Sequence, residues 1–341
     1  MATSPSVEYR FGLTGALAPL ALFLVGVGWL GFSGAPDERG LWPVLLASLG
    51  VGLLLARDRE GYGRAALGGM AREIVMTMVM AWILAGVFSA VLRASGLVHS
   101  LIWVAGRVGL EGGGFAVGAF LVSVLFSTAT GTSLGTLLVC APLLYPAAGL
   151  LEAQPAWVIG AILAGATFGD NVSPVSDTTI ASASSQSAPM GQVVRSRLKY
   201  ALPAAAMAIV VLALSGGTGG EVVRTSERIA GGAHPANLSG DPVALPMLFA
   251  PLVVFALLWR RKGLLESLFV GIASAVIVAL GFGLIDPGSL LYVDAGAFRA
   301  RGLIVDGMES AVGIVLFTIL LMGVLGGVEA SGALDRVLSW S

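Results

Sequence analysis

Seven stretches of the chain run almost free of charge, at 11–32, 41–56, 74–92, 200–215, 243–259, 264–285 and 307–328. An α-helix needs roughly 20 apolar residues to cross about 30 Å of hydrocarbon, so each stretch is read as a membrane helix. The first is longer than the apolar part of a secretion signal and has only Arg10 as positive charge before it, so it too is read as a membrane helix. No stretch alternates apolar and polar residues, which sets aside an outer-membrane barrel.

Two further apolar stretches are interrupted. The first covers 114–126, breaks at Ser127-Thr128-Ala129-Thr130-Gly131-Thr132-Ser133, and resumes over 134–144. Hydroxyls at membrane depth can satisfy the backbone of a broken helix or face an ion, which predicts two half-helices around a polar tip. A continuous helix whose small residues allow close packing is the competing reading. The second stretch, 156–168, is followed by F-G-D-N-V-S-P-V-S-D-T-T. Glycine is a poor helix former and proline clashes with the preceding turn, so Gly169 and Pro174 predict a break around the two aspartates. Asp170 is then expected just beyond one half-helix, where freed carbonyls favour a cation. Ser176 or Asp177 is expected to cap a second half whose first turn holds Thr178 and Thr179. A carboxylate inside a membrane segment costs about 2.5–3.5 kcal/mol on insertion scales, which makes Asp170 and Asp177 functional candidates. The bland alternatives are a surface loop residue for Asp170 and a simple helix cap for Asp177.

Charge then orients the chain. Arg57, Arg59, Arg64 and Arg72 form one cluster, Arg195, Arg197 and Lys199 a second, and Arg260, Arg261 and Lys262 a third. The positive-inside rule makes all three cytoplasmic, so an even number of crossings lies between Arg72 and Arg195. A hairpin over 114–150 that enters and leaves on the external side meets that condition. Trp29, Trp42, Trp157 and Trp259 fall near span ends, as an interfacial belt requires. Arg93 is expected at the interface, with Glu152, Glu309 and Glu329 solvated or snorkelling. Four regions follow: N-terminal helices at 1–72, a first transport repeat at 73–215, an external loop at 216–241, and the start of a second repeat at 242–341.

Composition agrees. Of 341 residues, 56% are hydrophobic and 11% charged, with a mean hydropathy of +0.91. The lipid bilayer is therefore a partner. A net charge of -1 without a basic stripe gives no footprint for nucleic acid. Cys140, the single cysteine, lies in an apolar run and is read as packing.

Residues 84–96, L-A-G-V-F-S-A-V-L-R-A-S-G, match 321–332, L-M-G-V-L-G-G-V-E-A-S-G, with one residue of slack. The crossing count starts the two copies on opposite sides, the sign of an inverted repeat. The second copy is followed by no counterpart of 127–133 or 168–179. The expectation is a fragment lacking its C-terminal portion, with a second polypeptide as the other way to complete the core; a homo-oligomer is a further candidate partner.

The strings T-G-T-S-L-G-T at 130–136 and G-D-N-V-S-P-V-S-D-T-T at 169–179 resemble those of the NhaC-type sodium/proton antiporters, within the wider ion-transporter superfamily. The resemblance covers 74–212 and, more loosely, the rest. It implies an all-α polytopic inverted-repeat transporter of the bacterial inner membrane, with a re-entrant hairpin and a broken helix, exchanging sodium ions for protons and carrying no cofactor. By motif position Asp170, Ser173, Ser176, Asp177 and Thr178 would line the ion path, with Thr130, Thr132 and Ser133 opposite and sodium held by Asp170 and Asp177. The chain departs from the family at Asn171, where lysine is usual, and at Leu134, where an aromatic is usual. The family is also similar to malate/lactate exchangers, so sodium- or proton-coupled exchange of small organic anions is the alternative.

Two other classes compete. An intramembrane aspartyl protease needs two carboxylates sharing a proton, and seven helical residues would hold Asp170 and Asp177 about 10 Å apart. A serine version fares worse, because His99 sits near a span end and His234 in the loop. The third reading is a subunit that packs and moves nothing alone.

Overall fold

The computed structural model describes residues 7–34, 38–173, 176, 179, 188–215, 241–260, 262–296 and 298–338. The helices are α1 (Gly12–Phe32), α2 (Glu38–Leu55), α3 (Arg59–Met70), α4 (Glu73–Ala94), α5 (Leu97–Val108), α6 (Gly112–Thr130), α7 (Ser133–Leu144), α8 (Pro155–Val172), α9 (Met190–Ser215), α10 (Phe249–Trp259), α11 (Leu264–Gly281), α12 (Pro287–Leu290), α13 (Leu303–Glu329) and α14 (Ala333–Leu338). Among the described residues, six helices are long and apolar enough to cross a membrane: α1, α4, α9, the run Pro242–Trp259, α11 and α13. The expected span at 41–56 becomes α2, whose apolar part is shorter. The expected external loop at 216–241 lies outside the described residues except for Asp241.

The chain divides into two compact units, Met1–Ile83 with Glu309–Ser341, and Leu84–Met308. In the first, α1 packs on α2, and α3 crosses α13 where Gly69 meets Gly326. A Cβ on Gly326 would stand 2.6 Å from the Ala65 carbonyl and 2.9 Å from the Gly69 Cα. Only small residues allow backbones that close, and no water-driven force replaces such packing in lipid. Residues before α1 are strapped down: the Val7 amide donates to the Ala330 carbonyl at 2.9 Å, and the Tyr9 hydroxyl to that of Gly327 at 3.0 Å. Trp42 was expected in the interfacial belt, but its indole N–H donates inward to the Gly313 carbonyl at 3.2 Å. Glu329, expected to be solvated or snorkelling, stays exposed and pairs there with Arg72, because the end of α13 returns beside the α3–α4 connection.

In the second unit, α6, α7, α8 and α9 pack together. Gly165 of α8 lies against Phe120 and Val124 of α6, and Gly169 against Val124 and Thr128. Four residues of advance on one helix match four on the other, so α6 and α8 run in the same direction. The chain must therefore return between them, and α7 does so. The Cys140 thiol on α7 faces Ser123 on α6, at matching distances from the break that separates the two helices. Helix α9 runs the opposite way: its start reaches the end of α8 through Arg197, and its end, at Leu212, meets the start of α6 at Gly113. Cys140 is buried, as expected of a packing residue. The stretch read as a span to residue 285 stops at Gly281, and a small exposed hairpin, β1 (Tyr292–Asp294) with β2 (Arg299–Arg301), follows.

Candidate functional site

Two helix ends build the site. Helix α6 stops at Thr130 because Gly131 adopts the left-handed conformation, φ 71° and ψ 23°, which a Cβ would disfavour. Thr132 then caps α7, its hydroxyl oxygen accepting from the Gly135 amide at 3.2 Å. The interruption is thus two residues long rather than the seven expected. Ser127 to Thr130 stay helical because the Ser127 hydroxyl turns onto α8, donating to the Ala166 carbonyl at 2.6 Å.

Helix α8 carries the acidic motif, and here the expectation is corrected. Gly169 does not break the helix, and Asp170 sits inside its last turn, not beyond it. Gly169 is a packing residue: a Cβ there would stand 2.6 Å from the Ser127 Cβ and 2.7 Å from both the Thr128 amide nitrogen and the Val124 carbonyl. The helix ends at Val172, and Ser173 turns extended at φ -73° and ψ 126°. Pro174 explains this, since the residue before a proline is pushed out of the helical region.

Asp170 lines an open cavity of about 410 Å³ with Thr167, Phe168 and Asn171 of α8 and Ala201 and Ala204 of α9. Its Oδ1 is buried and has no hydrogen-bond partner among the described residues. Ser173, fully buried, donates from its hydroxyl to the Thr128 carbonyl at 2.7 Å, joining the end of α8 to the last turn of α6. Ser176 and Thr179 are also buried. The structure therefore brings Asp170 and Ser173 to the C-terminal end of α6. It uses Thr132 as a cap, and it sets Ser133 half-buried in the first turn of α7. Asp177, Thr178 and the side chain of Thr130 lie outside the described residues.

Because α6 and α8 are parallel, their C-terminal ends arrive side by side. Each end carries about half a negative charge from its macrodipole. With the Asp170 carboxylate in the last turn of α8, the region is suited to a cation. Among the described residues no three His, Cys, Asp or Glu side chains converge, so the donor set on offer is one carboxylate with hydroxyls and carbonyls. Such a hard oxygen set suits an alkali cation better than a thiophilic metal.

Arg197 was missed as a site residue. It counted only as one of several cytoplasmic charges, yet its Nη1 donates to the Asn171 carbonyl at 3.1 Å and to the Thr179 hydroxyl oxygen at 2.8 Å. Its spacing from Ala201 and Ala204 puts it on the cavity-facing side of α9. That spacing was legible in the sequence, but the face it belongs to was not.

Comparison with known proteins gives the following. A family model described as the Na+/H+ antiporter family matches residues 13–217. The chain is similar to the Na+/H+ antiporter NhaC of Alkalihalophilus pseudofirmus, 24% identical over 80% of this chain and 60% of the relative. It is similar to the Na+/H+ antiporter NhaC of Bacillus subtilis, 26% identical over 64% of this chain and 50% of the relative. It is also similar to the malate-2H+/Na+-lactate antiporter of Bacillus subtilis, 23% identical over 90% of this chain and 65% of the relative. The chain thus spans between half and two thirds of the length of these curated relatives. No solved structure matches it.

Proposed function

The chain belongs to the Na+/H+ antiporter family and is a multi-pass membrane protein, and from that premise we propose that it exchanges sodium for protons, with Asp170 as the group that takes one or the other. The observation that carries this reading is the buried Asp170 Oδ1 without a donor among the described residues, set where two parallel helices end. A buried carboxylate oxygen without a partner is costly, and either a proton or a sodium ion relieves that cost. The two exclude each other at one oxygen, which is the elementary requirement of exchange. Ser173 donates its hydroxyl hydrogen to the Thr128 carbonyl, which holds its oxygen at the end of α8. Ser176, Asp177 and Thr178 are assigned as further ligands, with Thr130, Thr132 and Ser133 facing them. The bacterial relatives favour the bacterial inner membrane as the setting. The family consists of antiporters rather than enzymes, which removes the protease reading.

The proposed architecture is an inverted-repeat transporter with α6 and α7 as a re-entrant hairpin. The return of the chain between two parallel helices supports the hairpin. Local geometry supports the repeat: Ser95 donates its hydroxyl to the Leu92 carbonyl at 2.8 Å, and Ser331 to that of Val328 at 2.6 Å. Gly96 and Gly332 follow with φ of 80° and 68°, and a new helix starts directly after each.

Sodium-driven proton flux into proteoliposomes, followed with a pH dye, tests the reading. Flux is expected from the full chain and not from Asp170→Asn, whereas equal flux from both would remove Asp170 from the mechanism. A second reading, coupled exchange of a small organic acid, is favoured by Arg197, a fixed cation beside the Asp170 cavity. Malate or lactate counterflow without a sodium–proton exchange signal would select it.

A further inference from the structure

A second cavity, of about 440 Å³, opens in the first unit, where the segment before α1, the end of α2 and the turn after α13 come together. Among the described residues that line it are Arg10, Arg57 and Arg336 and one carboxylate, Glu8. Leu13 and Ala16 of α1 add an apolar part to the lining.

The walls are fixed before any ligand arrives. The Arg10 amide donates to the Leu55 carbonyl at 2.9 Å, and the Arg57 amide to that of Glu8 at 2.8 Å. Tyr9 packs edge-on against Tyr62 with ring centres 6.4 Å apart. Val7, Tyr9, Ala56, Val328 and Ala333 form one buried cluster beneath the cavity. Two of the arginines therefore project from backbone that is held on both sides, which lowers the entropy cost of closing them on an anion.

The guanidinium fork matches the oxygens of a phosphate, and Arg10 and Arg57, with Arg336 beside them on the wall, outweigh the Glu8 carboxylate. Glu8 competes weakly. Its contact with Arg57 is 3.6 Å long, with the two side chains 74% and 63% exposed, and such pairs contribute little. The cavity lies where two apolar helices, α1 and α13, begin and end, on the side that positive charge marks as cytoplasmic. Basic pockets at that level recognise anionic headgroups.

We propose that this cavity binds a phosphate-bearing anion, and that the headgroup of an anionic phospholipid is the source its position favours. The site is independent of the exchange reading above, and so is its test. The full chain in neutral detergent is titrated with short-chain phosphatidylglycerol, with short-chain phosphatidylcholine and with inorganic phosphate. Lipid retained per chain is counted by native mass spectrometry, and affinity is read from the shift in unfolding temperature. Phosphatidylglycerol is expected to saturate at one high-affinity site and phosphatidylcholine to leave it empty. Arg10→Gln/Arg57→Gln/Arg336→Gln is expected to weaken phosphatidylglycerol at least tenfold, whereas Arg299→Gln, on the exposed hairpin, leaves it unchanged. If the triple variant does not fold, Arg10→Gln and Arg336→Gln taken singly decide, each expected to weaken binding at least threefold. Displacement of the lipid by inorganic phosphate at similar concentration assigns the site to a free anion, and failure to displace assigns it to lipid. Equal affinity in the triple and control variants, or binding that never saturates, overturns the proposal.

Discussion

The Arg197 guanidinium donates to the Thr179 hydroxyl oxygen at 2.8 Å, so α9 holds a residue that lies beyond the end of α8. The same nitrogen donates to the Asn171 carbonyl, one residue after Asp170. Arg197 thus spans the helix end next to the proposed ion site. A charge-assisted hydrogen bond is worth roughly 1.5–3 kcal/mol when buried, and partial exposure here reduces that to about 1 kcal/mol. Arg197→Gln is expected to lower sodium-driven flux about fivefold, the rate equivalent of that energy. Arg197→Lys should recover part of the flux by keeping the charge. A Gln variant with full flux would make Arg197 a bystander.

Two glycines of α8 make a matched pair. Gly169 meets backbone atoms of α6, whereas Gly160 has nothing within 4 Å of the place where a Cβ would go. Gly169→Ala must push two backbones apart and is expected to destabilise by about 1–3 kcal/mol. Gly160→Ala should stabilise by about 0.5–1 kcal/mol through helix propensity alone. Unfolding temperatures in detergent compare them directly. Similar shifts for both would contradict the close α6–α8 contact.

If one carboxylate takes sodium or a proton, acidification must act as competition. The half-saturating sodium concentration is expected to rise as pH falls, while the maximal rate at saturating sodium changes less. Sodium titrations at three pH values measure both quantities. A constant half-saturating concentration with a falling maximal rate would place proton and sodium on separate groups.

The first unit should weaken in strong alkali. Burial, with the neighbouring Tyr62 adding to it, raises the Tyr9 hydroxyl far above its ordinary value, and burial pushes Tyr62 up to about 12. Raised values mean that the folded state keeps protons that the unfolded chain gives up. The stabilisation from Tyr62 is therefore complete below pH 10 and is lost between 10 and about 12. Each tyrosine contributes a slope of about 1.4 kcal/mol per pH unit in that window. Tyr62→Phe should flatten its share at little cost near pH 7, because the Tyr62 hydroxyl has no partner among the described residues. Denaturation followed between pH 8 and 12 tests this, and an unchanged slope in the variant would show that Tyr62 does not titrate with unfolding.

The sequence made both interruptions visible because glycine and proline act locally. Gly131 and Pro174 each impose a backbone state on the residue at or before them, and the helices stop at Thr130 and Val172 accordingly. Gly169 shows the limit of that logic. Its propensity argues for a break, yet its bare Cα is what lets α8 approach α6, and the partner lies some 40 residues away in the chain. Arg197 was hidden for the same reason: charge and spacing are local, whereas the carbonyl and hydroxyl it binds are not. The hairpin at 292–301 was missed because three-residue strands carry too little pattern to register against the apolar run before them.

The break at Gly131 and Thr132 also gives the molecule its own probe. Cys140, the single thiol in the chain, is 1% exposed and stands on α7 against Ser123 of α6. A maleimide can reach it only when α7 moves away from the helices packed on it, α6 and α8. Its labelling rate in otherwise unaltered protein is therefore a clock for that movement, and comparing the rate with and without sodium would time it without a fluorophore or a cysteine-free background.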